Sequence, residues 1–240
     1  MCRVPSADQA LEAVLLQYQL PPELGVALGR LLNLLALPHA PTSVHDPNAA
    51  VDVHVADSLA ALEVPEVRRA TLISDLGAGA GVPGLVLAAA LPKTRVVLVE
   101  AVARKCEFIR GAIAEMGLDN AEVVWTRAEE WRDGLERCDV VCARAVAALP
   151  VLCEYAAPLL REGGILVAWK AALTPSEAQD TAVAATHLGL AAEPTRSVFP
   201  YAGSVRRTLH VLRKVAPTPA RYPRRPGIAA KRPLSARNLR

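Results

Sequence analysis

Apolar residues recur at helical spacing near the start of the chain and in short, continuous runs further along it. Between residues 7 and 37 they lie three or four positions apart, which predicts two amphipathic helices separated by a Pro-Pro pair. A polar loop over 39–48 and a further short helix over 52–62 are predicted to follow. We therefore expect residues 1–66 to form a helical cap that packs on the remainder of the fold.

After this cap, apolar runs alternate with helical patterns. The predicted strands cover 71–76, 96–100, 122–125, 139–145 and 165–170. The predicted helices cover 85–91, 103–116, 149–160 and 176–188, and a hairpin joins 196–199 to 208–213. Such alternation gives a right-handed, mostly parallel sheet, to which the hairpin adds an antiparallel strand. Residues 67–215 are expected to form this α/β domain.

The most informative motif follows the first predicted strand. Gly77, Gly79 and Gly81 alternate with alanines two residues after Asp75, and a helix is predicted to begin at Val82. Glycine adopts positive φ angles and lets a ligand approach the backbone closely. The letters from Gly79 also fit G-x-G-x-x-G, so a nicotinamide or flavin cofactor is one interpretation, and a turn without a ligand is another. The acid before the first glycine resembles motif I of S-adenosylmethionine-dependent methyltransferases. A crowded turn suits that cofactor, because it carries no phosphate.

Further polar residues end the neighbouring predicted strands. Glu100 ends the second strand, where a carboxylate can accept both hydroxyls of a ribose. Ala128 and Glu129 follow the third strand, and Arg144 ends the fourth. Ligands of such sheets bind outside the carboxyl ends of the strands. We therefore expect these residues to meet the glycines around one adenosine-containing cofactor.

Composition indicates a cytosolic globular protein. Of 240 residues, 52% are hydrophobic, which is enough for a sizeable core. No apolar stretch is long enough to span a bilayer, and no signal-peptide pattern opens the chain, so we expect a cytoplasmic protein without a membrane partner. The five cysteines form no C-x-x-C pair, so no metal site or disulfide framework is predicted. Cys138 and Cys142 are expected to be small buried side chains.

Positive charge is concentrated towards the C-terminus. Residues 204–240 contain eleven Lys and Arg and no Asp or Glu, so the rest of the chain is net acidic although the whole carries a formal charge of +3. This asymmetry suggests a cationic end that faces a polyanion, with a merely solvated tail as the alternative. Residues 216–240 are rich in proline and arginine, and we expect them to be extended and disordered until a partner orders them.

In combination these motifs resemble the bacterial 16S ribosomal RNA guanine-N7 methyltransferases, also called the glucose-inhibited division protein B family. The resemblance lies in Ala40–Pro47, Val53–Leu59, Asp75–Gly84, Arg127–Glu130 and Ala143–Val146. A proline after the third glycine, with Arg-Ala-Glu and Arg-Ala further on, is specific in combination. The resemblance implies a class I S-adenosylmethionine-dependent methyltransferase fold, which is Rossmann-like with a mostly parallel seven-stranded sheet and one antiparallel strand.

The resemblance also implies a cofactor, a substrate and site residues. The cofactor is expected to be S-adenosyl-L-methionine, and the partner 16S ribosomal RNA or the small ribosomal subunit, methylated by a monomer. The expected cofactor-binding residues are Asp75, Gly77, Gly79, Gly81, Val82, Glu100, Ala128, Glu129 and Arg144. Those expected to position the base or its phosphates are Arg127, Arg144, Lys170 and Arg207. Because guanine N7 has a lone pair and no proton, no catalytic base is predicted. His54 is expected to pack in its helix or to bond Asp57.

The chain departs from the family pattern in a few positions on the RNA side. They are Ala40, Pro41, His45, Val53 and Ala171. One alternative is therefore an RNA-binding protein that keeps the cofactor pocket without turnover, and another is a methyltransferase for a small molecule or a protein. A nicotinamide oxidoreductase is the third. For Arg144, an ion pair with Asp75 or Asp57 is the alternative to a role in the cofactor pocket.

Overall fold

The computed structural model describes residues 6–204 and 207–238, which begin with the helical cap. Helix α1 spans Ala7–Gln17, and the side chain of its N-cap residue Ser6 forms a capping box with Gln9. Helix α2 spans Leu24–Leu35. The short helix predicted next is longer and less regular than expected. It consists of α3 (Pro47–Ala50), a π-helical turn (Val51–Ala56), α4 (Asp57–Leu59), a 3₁₀ turn (Ala60–Glu63) and α5 (Pro65–Arg69).

The rest of the chain is organised around one sheet. Its strands are β1 (Leu72–Leu76), β2 (Arg95–Glu100), β3 (Ala121–Trp125), β4 (Cys138–Arg144), β5 (Leu160–Lys170), β6 (Leu190–Ala192), β7 (Arg196–Val198) and β8 (Arg207–Lys214). Their order is β3-β2-β1-β4-β5-β8-β6, with β7 also paired to β8. Strands β1 to β5 are parallel, whereas β8 runs antiparallel to each of its neighbours. Because β6 and β7 pair with successive parts of β8, they share one edge position. The seven-position sheet with one reversed strand confirms the predicted fold class.

Three helices connect parallel strands close to their predicted positions: α6 (Gly84–Ala90), α7 (Ala103–Met116) and α8 (Leu149–Ala156). Helix α9 (Pro175–Leu188) follows β5, also close to its predicted position, and a short helix that was not predicted, α10 (Ile228–Lys231), lies after β8. The prediction of a helix as far as Leu160 was wrong, because Leu160 already begins β5. Gly163 and Gly164, a pair of residues typical of a turn, lie inside that strand. Cys138 pairs with Leu160 and Val140 with Ile165, so β5 accommodates the extra residues as an irregularity in the ladder.

Two apolar clusters on opposite faces of the sheet form the core. On one face Leu31, Leu35 and Leu59 of the cap belong to the same cluster as Ile73 of β1 and Leu98 of β2. All five side chains are fully buried, and burying each stabilises the fold by roughly 1.5–3 kcal/mol. The cap is therefore packed on the sheet. The division of the chain at residue 66 stays a prediction.

The C-terminal segment, residues 216–238, differs from the extended tail that its composition predicts. It contains α10, and Tyr222, Ala229 and Leu234 are buried. Tyr222 and Leu234 join the apolar cluster that includes α8 and α9. Prolines prevent long helices and strands here, but single apolar and cationic side chains can still pack against the rest of the protein. Such isolated contacts follow no helical or strand periodicity, so the sequence pattern did not predict them.

The cysteines, the metal ligands and the long apolar helices can be compared with the expectations only for the part of the chain that the structure describes. Cys106, Cys138, Cys142 and Cys153 are buried free thiols, as expected for the two that the sequence singles out, and Cys2 lies outside the described residues. Within 6–204 and 207–238 no group of three or more His, Cys, Asp or Glu side chains is arranged to hold a metal ion. No helix in this part of the chain combines the length and apolar character needed to cross a membrane.

Candidate active site

The glycine loop between β1 and α6 has three residues with left-handed backbone. The φ angles of Gly77, Gly79 and Gly81 are +67°, +59° and +85°. A Cβ atom at Gly81 would lie 2.4 Å from Leu85 Cδ1, and one at Gly77 would lie 2.9 Å from Val146 Cγ2. At Gly79 the nearest atom would be 3.7 Å away. Gly77 and Gly81 are thus required for packing as well as for conformation, whereas Gly79 borders open space where a ligand can approach.

Glu100 lies beside this open space at the end of β2. Its Oε2 accepts a hydrogen bond from Gly79 N at 2.9 Å, and its Oε1 accepts one from Val102 N at 2.8 Å. The residue is only 5% exposed, so these two backbone donors fix the carboxylate. Each carboxylate oxygen keeps a further lone pair for another donor. Glu100 and the Gly79 loop therefore fit a ligand that presents a pair of hydroxyl groups, as a ribose does.

Asp75 lies beneath the loop. It is 1% exposed, and its Oδ2 accepts a hydrogen bond from Gly84 N at 2.8 Å, so it caps the start of α6. Burial raises the pKa of Asp75 to about 7, Glu100 adds to the rise, and the Gly84 N–H and Arg144 oppose it. In the described structure this carboxyl anchors the loop from below.

Arg144 connects the sheet to the cap. Its NH1 donates to Val53 O at 2.8 Å and to Asp57 Oδ2 at 3.0 Å. Asp57 is 2% exposed, and its Oδ1 lies 3.6 Å from Nε of Arg207. Of the two ion pairs that the sequence allows, Arg144 forms the one with Asp57. Val53 contributes only its carbonyl, which any residue at that position would supply.

His54 lies against the same cluster. Its Nε2 is 2.9 Å from Thr42 Oγ1, and its Nδ1 is 3.5 Å from Arg144 NH2. Burial and the neighbouring charge of Arg144 lower the pKa of His54 to about 4. The imidazole is therefore neutral near pH 7. It packs in its helix as expected, but its hydrogen-bond partner is Thr42 rather than Asp57.

Besides Arg144, three side chains are predicted to position the base or its phosphates, and they have different surroundings. Lys170 Nζ is 3.0 Å from Ala147 O and 3.2 Å from Glu177 Oε1, so it ties the loop after β4 to α9. Arg207 lies near Asp57 and donates to the Tyr201 hydroxyl at 3.1 Å, yet 40% of its side chain is exposed. Arg127 is exposed on the turn after β3. Arg207 and Arg127 are therefore accessible to an anion, whereas Lys170 is engaged in the fold.

The turn after β3 contains Ala128 and Glu129. Glu129 is 7% exposed, and its Oε1 accepts a hydrogen bond from Gly227 N at 2.9 Å. One carboxylate oxygen therefore binds the C-terminal segment, a contact that the sequence did not indicate. The adenine contact expected of this turn stays a prediction.

The structure brings most of the predicted site residues to the carboxyl edge of the parallel sheet. This edge, the reversed β8 and the glycine loop define a class I methyltransferase, whose cofactor is S-adenosyl-L-methionine. The structure of an S-adenosylmethionine-dependent O-methyltransferase from Thermotoga maritima superposes with a TM-score of 0.55 at 17% identity, over 79% of this chain and 72% of that one. At such low identity the likeness concerns the fold alone.

Sequence comparison then identifies the family. A family model described as rRNA small subunit methyltransferase G matches residues 28–198. A protein of that name from Rubrobacter xylanophilus is 42% identical over 195 residues, which cover 79% of this chain and 75% of the relative. Its counterpart from Deinococcus radiodurans is 42% identical over 185 residues, 75% of this chain and 73% of the relative. The chain belongs to the rRNA small subunit methyltransferase G family, which confirms the predicted resemblance.

Proposed function

We propose that this protein transfers the methyl group of S-adenosyl-L-methionine to N7 of a guanine in 16S ribosomal RNA. The observation that carries the proposal is the meeting of Gly79, Glu100 and Arg144 at one edge of the sheet in a chain of this family. Relatives 42% identical to it are named for small-subunit ribosomal RNA. We further propose that it acts as a cytoplasmic monomer without a membrane partner.

The proposed cofactor contacts follow from the donors and acceptors at this edge. Glu100 accepts the ribose hydroxyls with the lone pairs that Gly79 and Val102 leave free. The backbone at Gly77 and Gly79 borders the methionine end, and the Ala128–Glu129 backbone borders the adenine. Asp75 and Val82 support the loop from below. When bound, the cofactor supplies an electrophilic methyl group on a sulfonium.

No residue needs to remove a proton in this reaction. Guanine N7 presents an in-plane lone pair, so the protein has to hold the base in line and exclude water. Orientation of this kind can contribute roughly 7–11 kcal/mol to lowering a barrier. His54, whose pKa is lowered to about 4, is neutral, and it is bonded to Thr42. We assign it to the wall of the site beside Arg144.

We assign the RNA backbone contacts to Arg127 and Arg207, because both are accessible at the same edge. Lys170 instead holds the loop after β4 through Ala147 and Glu177. Contacts to phosphates make the affinity for RNA depend on salt concentration. Proteins recognise RNA bases most readily in loops and single strands, where the bases are unstacked. An accessible or flipped guanine therefore fits the proposal.

The test is methyl transfer to small ribosomal subunits, and separately to their RNA, from cells that lack the modification. Labelled cofactor followed by nucleoside analysis should give labelled N7-methylguanosine. A Gly79→Arg variant, whose side chain fills the open space beside Glu100, should transfer no label. If the wild type binds S-adenosyl-L-methionine but labels neither substrate, the alternatives of a small-molecule or protein methyltransferase and of a non-catalytic RNA-binding protein take its place.

A further inference from the structure

The C-terminal segment, residues 216–238, supplies the partner of a buried carboxylate on α8. Glu154 is 1% exposed. Arg224 Nε donates to its Oε1 at 2.8 Å, and Arg224 NH2 donates to its Oε2 at 2.5 Å. The backbone N–H of Arg224 lies 3.2 Å from the same Oε1. Bidentate pairs of this kind are strong and fix orientation. The segment is therefore anchored by a buried ion pair.

The same segment also reaches the turn after β3. Three positions beyond Arg224, the N–H of Gly227 donates to Glu129 Oε1 at 2.9 Å. Gly227 has a φ of +78° and is the N-cap of α10, so this bond forms where the short helix begins. A positive φ favours glycine at this position. The Arg224–Glu154 ion pair thus places the Gly227 N–H beside Glu129.

Tyr222 provides a third point of attachment. Its ring is 8% exposed and meets the His187 ring of α9 edge-on at 5.5 Å between centroids. The guanidinium groups of Arg221 and Arg224 lie 5.2 Å and 6.0 Å from the centre of the Tyr222 ring. Cation–π contacts of this kind add to the apolar burial. The segment is thus attached to α8, to α9 and to the turn that carries Glu129.

We propose that Arg224 and Gly227 are positioning residues of the cofactor site. They hold the Ala128–Glu130 turn, whose backbone borders the adenine under the proposed function on which this inference rests. Without them the carboxylates of Glu129 and Glu154 lose donors in a buried environment, and burial of a charge without its partners is strongly unfavourable. The turn would then shift or open, and the cofactor would bind less tightly. The basic segment therefore serves the cofactor site, in addition to any attraction of its charges for RNA.

A matched pair of variants tests this inference. Arg224→Ala removes the partner of Glu154, and Arg225→Ala removes the same charge from the adjacent, exposed position. The dissociation constant of S-adenosyl-L-methionine is measured by calorimetry, at a temperature well below the unfolding midpoints of both variants. The KM for 16S RNA is measured at saturating cofactor. Arg224→Ala should raise the cofactor dissociation constant roughly tenfold, within the usual range of coupling between sites. Arg225→Ala should leave it unchanged, and the two variants should have equal KM values for RNA.

Arg224→Lys keeps the test valid if Arg224→Ala does not fold. Lysine retains the charge but lacks the planar fork that binds both oxygens of Glu154, so a smaller rise in the cofactor dissociation constant is expected. If the folded Arg224 variants bind the cofactor as tightly as Arg225→Ala, the inference is wrong and the segment is only structural. A change confined to the KM for RNA would also overturn it. A wild type that does not bind the cofactor would overturn the proposed function, and this inference with it.

Discussion

Replacing Arg144 by alanine tests whether the ion pair between the cap and the sheet stabilises the fold. The change removes the hydrogen bonds from NH1 to Asp57 Oδ2 at 3.0 Å and to Val53 O at 2.8 Å. Asp57 remains 2% exposed. Within residues 6–204 and 207–238 its Oδ1 has no hydrogen-bond partner. The variant therefore leaves a buried carboxylate whose nearest cation is Arg207, at 3.6 Å.

The size of the effect follows from this burial. Removing one partner of a buried ion pair destabilises a protein by about 3–5 kcal/mol, because the other charge stays buried alone. Arg207 is close enough to compensate in part, although 40% of its side chain is in solvent. We therefore expect Arg144→Ala to lower the free energy of unfolding by about 3 kcal/mol, a large part of the usual total of about 5–15 kcal/mol.

Urea unfolding at pH 7 measures this change in four proteins: wild type, Arg144→Ala, Asp57→Asn and the double variant. Asp57→Asn removes the buried charge that Arg144→Ala leaves without its partner. The double variant should therefore be more stable, by more than about 1 kcal/mol, than the sum of the two single changes predicts. Arg95→Ala is the matched control. It breaks the Arg95–Glu122 pair, whose side chains are 58% and 45% exposed, and it should change stability by less than about 1 kcal/mol. A loss below about 1 kcal/mol for Arg144→Ala, or additive single variants, would refute the reasoning.

Three further predictions concern the loop and the acids around it. Glu100→Gln places an amide donor against a backbone N–H and should weaken S-adenosyl-L-methionine binding by about 1–3 kcal/mol, measured by calorimetry. Gly79→Ala should reduce stability by only about 1–2 kcal/mol, from its φ of +59°, whereas Gly81→Ala should reduce it more, because its Cβ would lie 2.4 Å from a neighbouring side chain. Asp75 stays protonated in the folded protein up to a pKa of about 7 but ionises near pH 4 when unfolded. Wild type should therefore lose stability relative to Asp75→Asn as the pH rises from 4 to 7, and urea unfolding across that range measures the difference.

A specific outcome would contradict each of these three predictions. Equal cofactor affinity in Glu100→Gln would exclude the carboxylate from the ribose site. Equal unfolding free energies for the Gly79 and Gly81 variants would show that the loop relaxes around an added methyl group. A stability difference between wild type and Asp75→Asn that is constant with pH would mean that the folded carboxyl titrates as it does in the unfolded chain.

Much of the fold follows from local patterns. The glycine loop, the strand-end acid and the cap helices each have a period or a motif that is visible in a short window of sequence. The ends of elements were less predictable. The apolar run from Leu149 continues through Leu160, so periodicity alone cannot show where α8 stops and β5 starts. Strand pairing decides that boundary, since Leu160 pairs with Cys138.

The contacts of the site that join distant segments were mostly beyond prediction. The Arg144–Asp57 pair could be foreseen as one of two pairings, because both residues lie in motif segments. Arg224 and Gly227 could not, since a proline-rich segment has no period to locate them. One signal was present nevertheless. Glu154 stands in a helix of otherwise apolar and aromatic residues, and an acid that is buried with such neighbours requires a donor.

The arginines near this edge of the sheet are of two kinds: those that pair with a buried carboxylate and those that are exposed to solvent. Arg144 pairs with an Asp57 side chain that is 3% exposed, and Arg224 pairs with a Glu154 side chain that is 1% exposed. Neither guanidinium can turn to an RNA phosphate without leaving a buried charge behind. Exposed cations such as Arg127 have no such constraint, so we propose that they make the phosphate contacts. Each contact contributes about 0.7–0.9 to the slope of log affinity against log salt. Arg127→Ala should therefore reduce that slope, whereas Arg144→Ala should leave it unchanged while destabilising the protein.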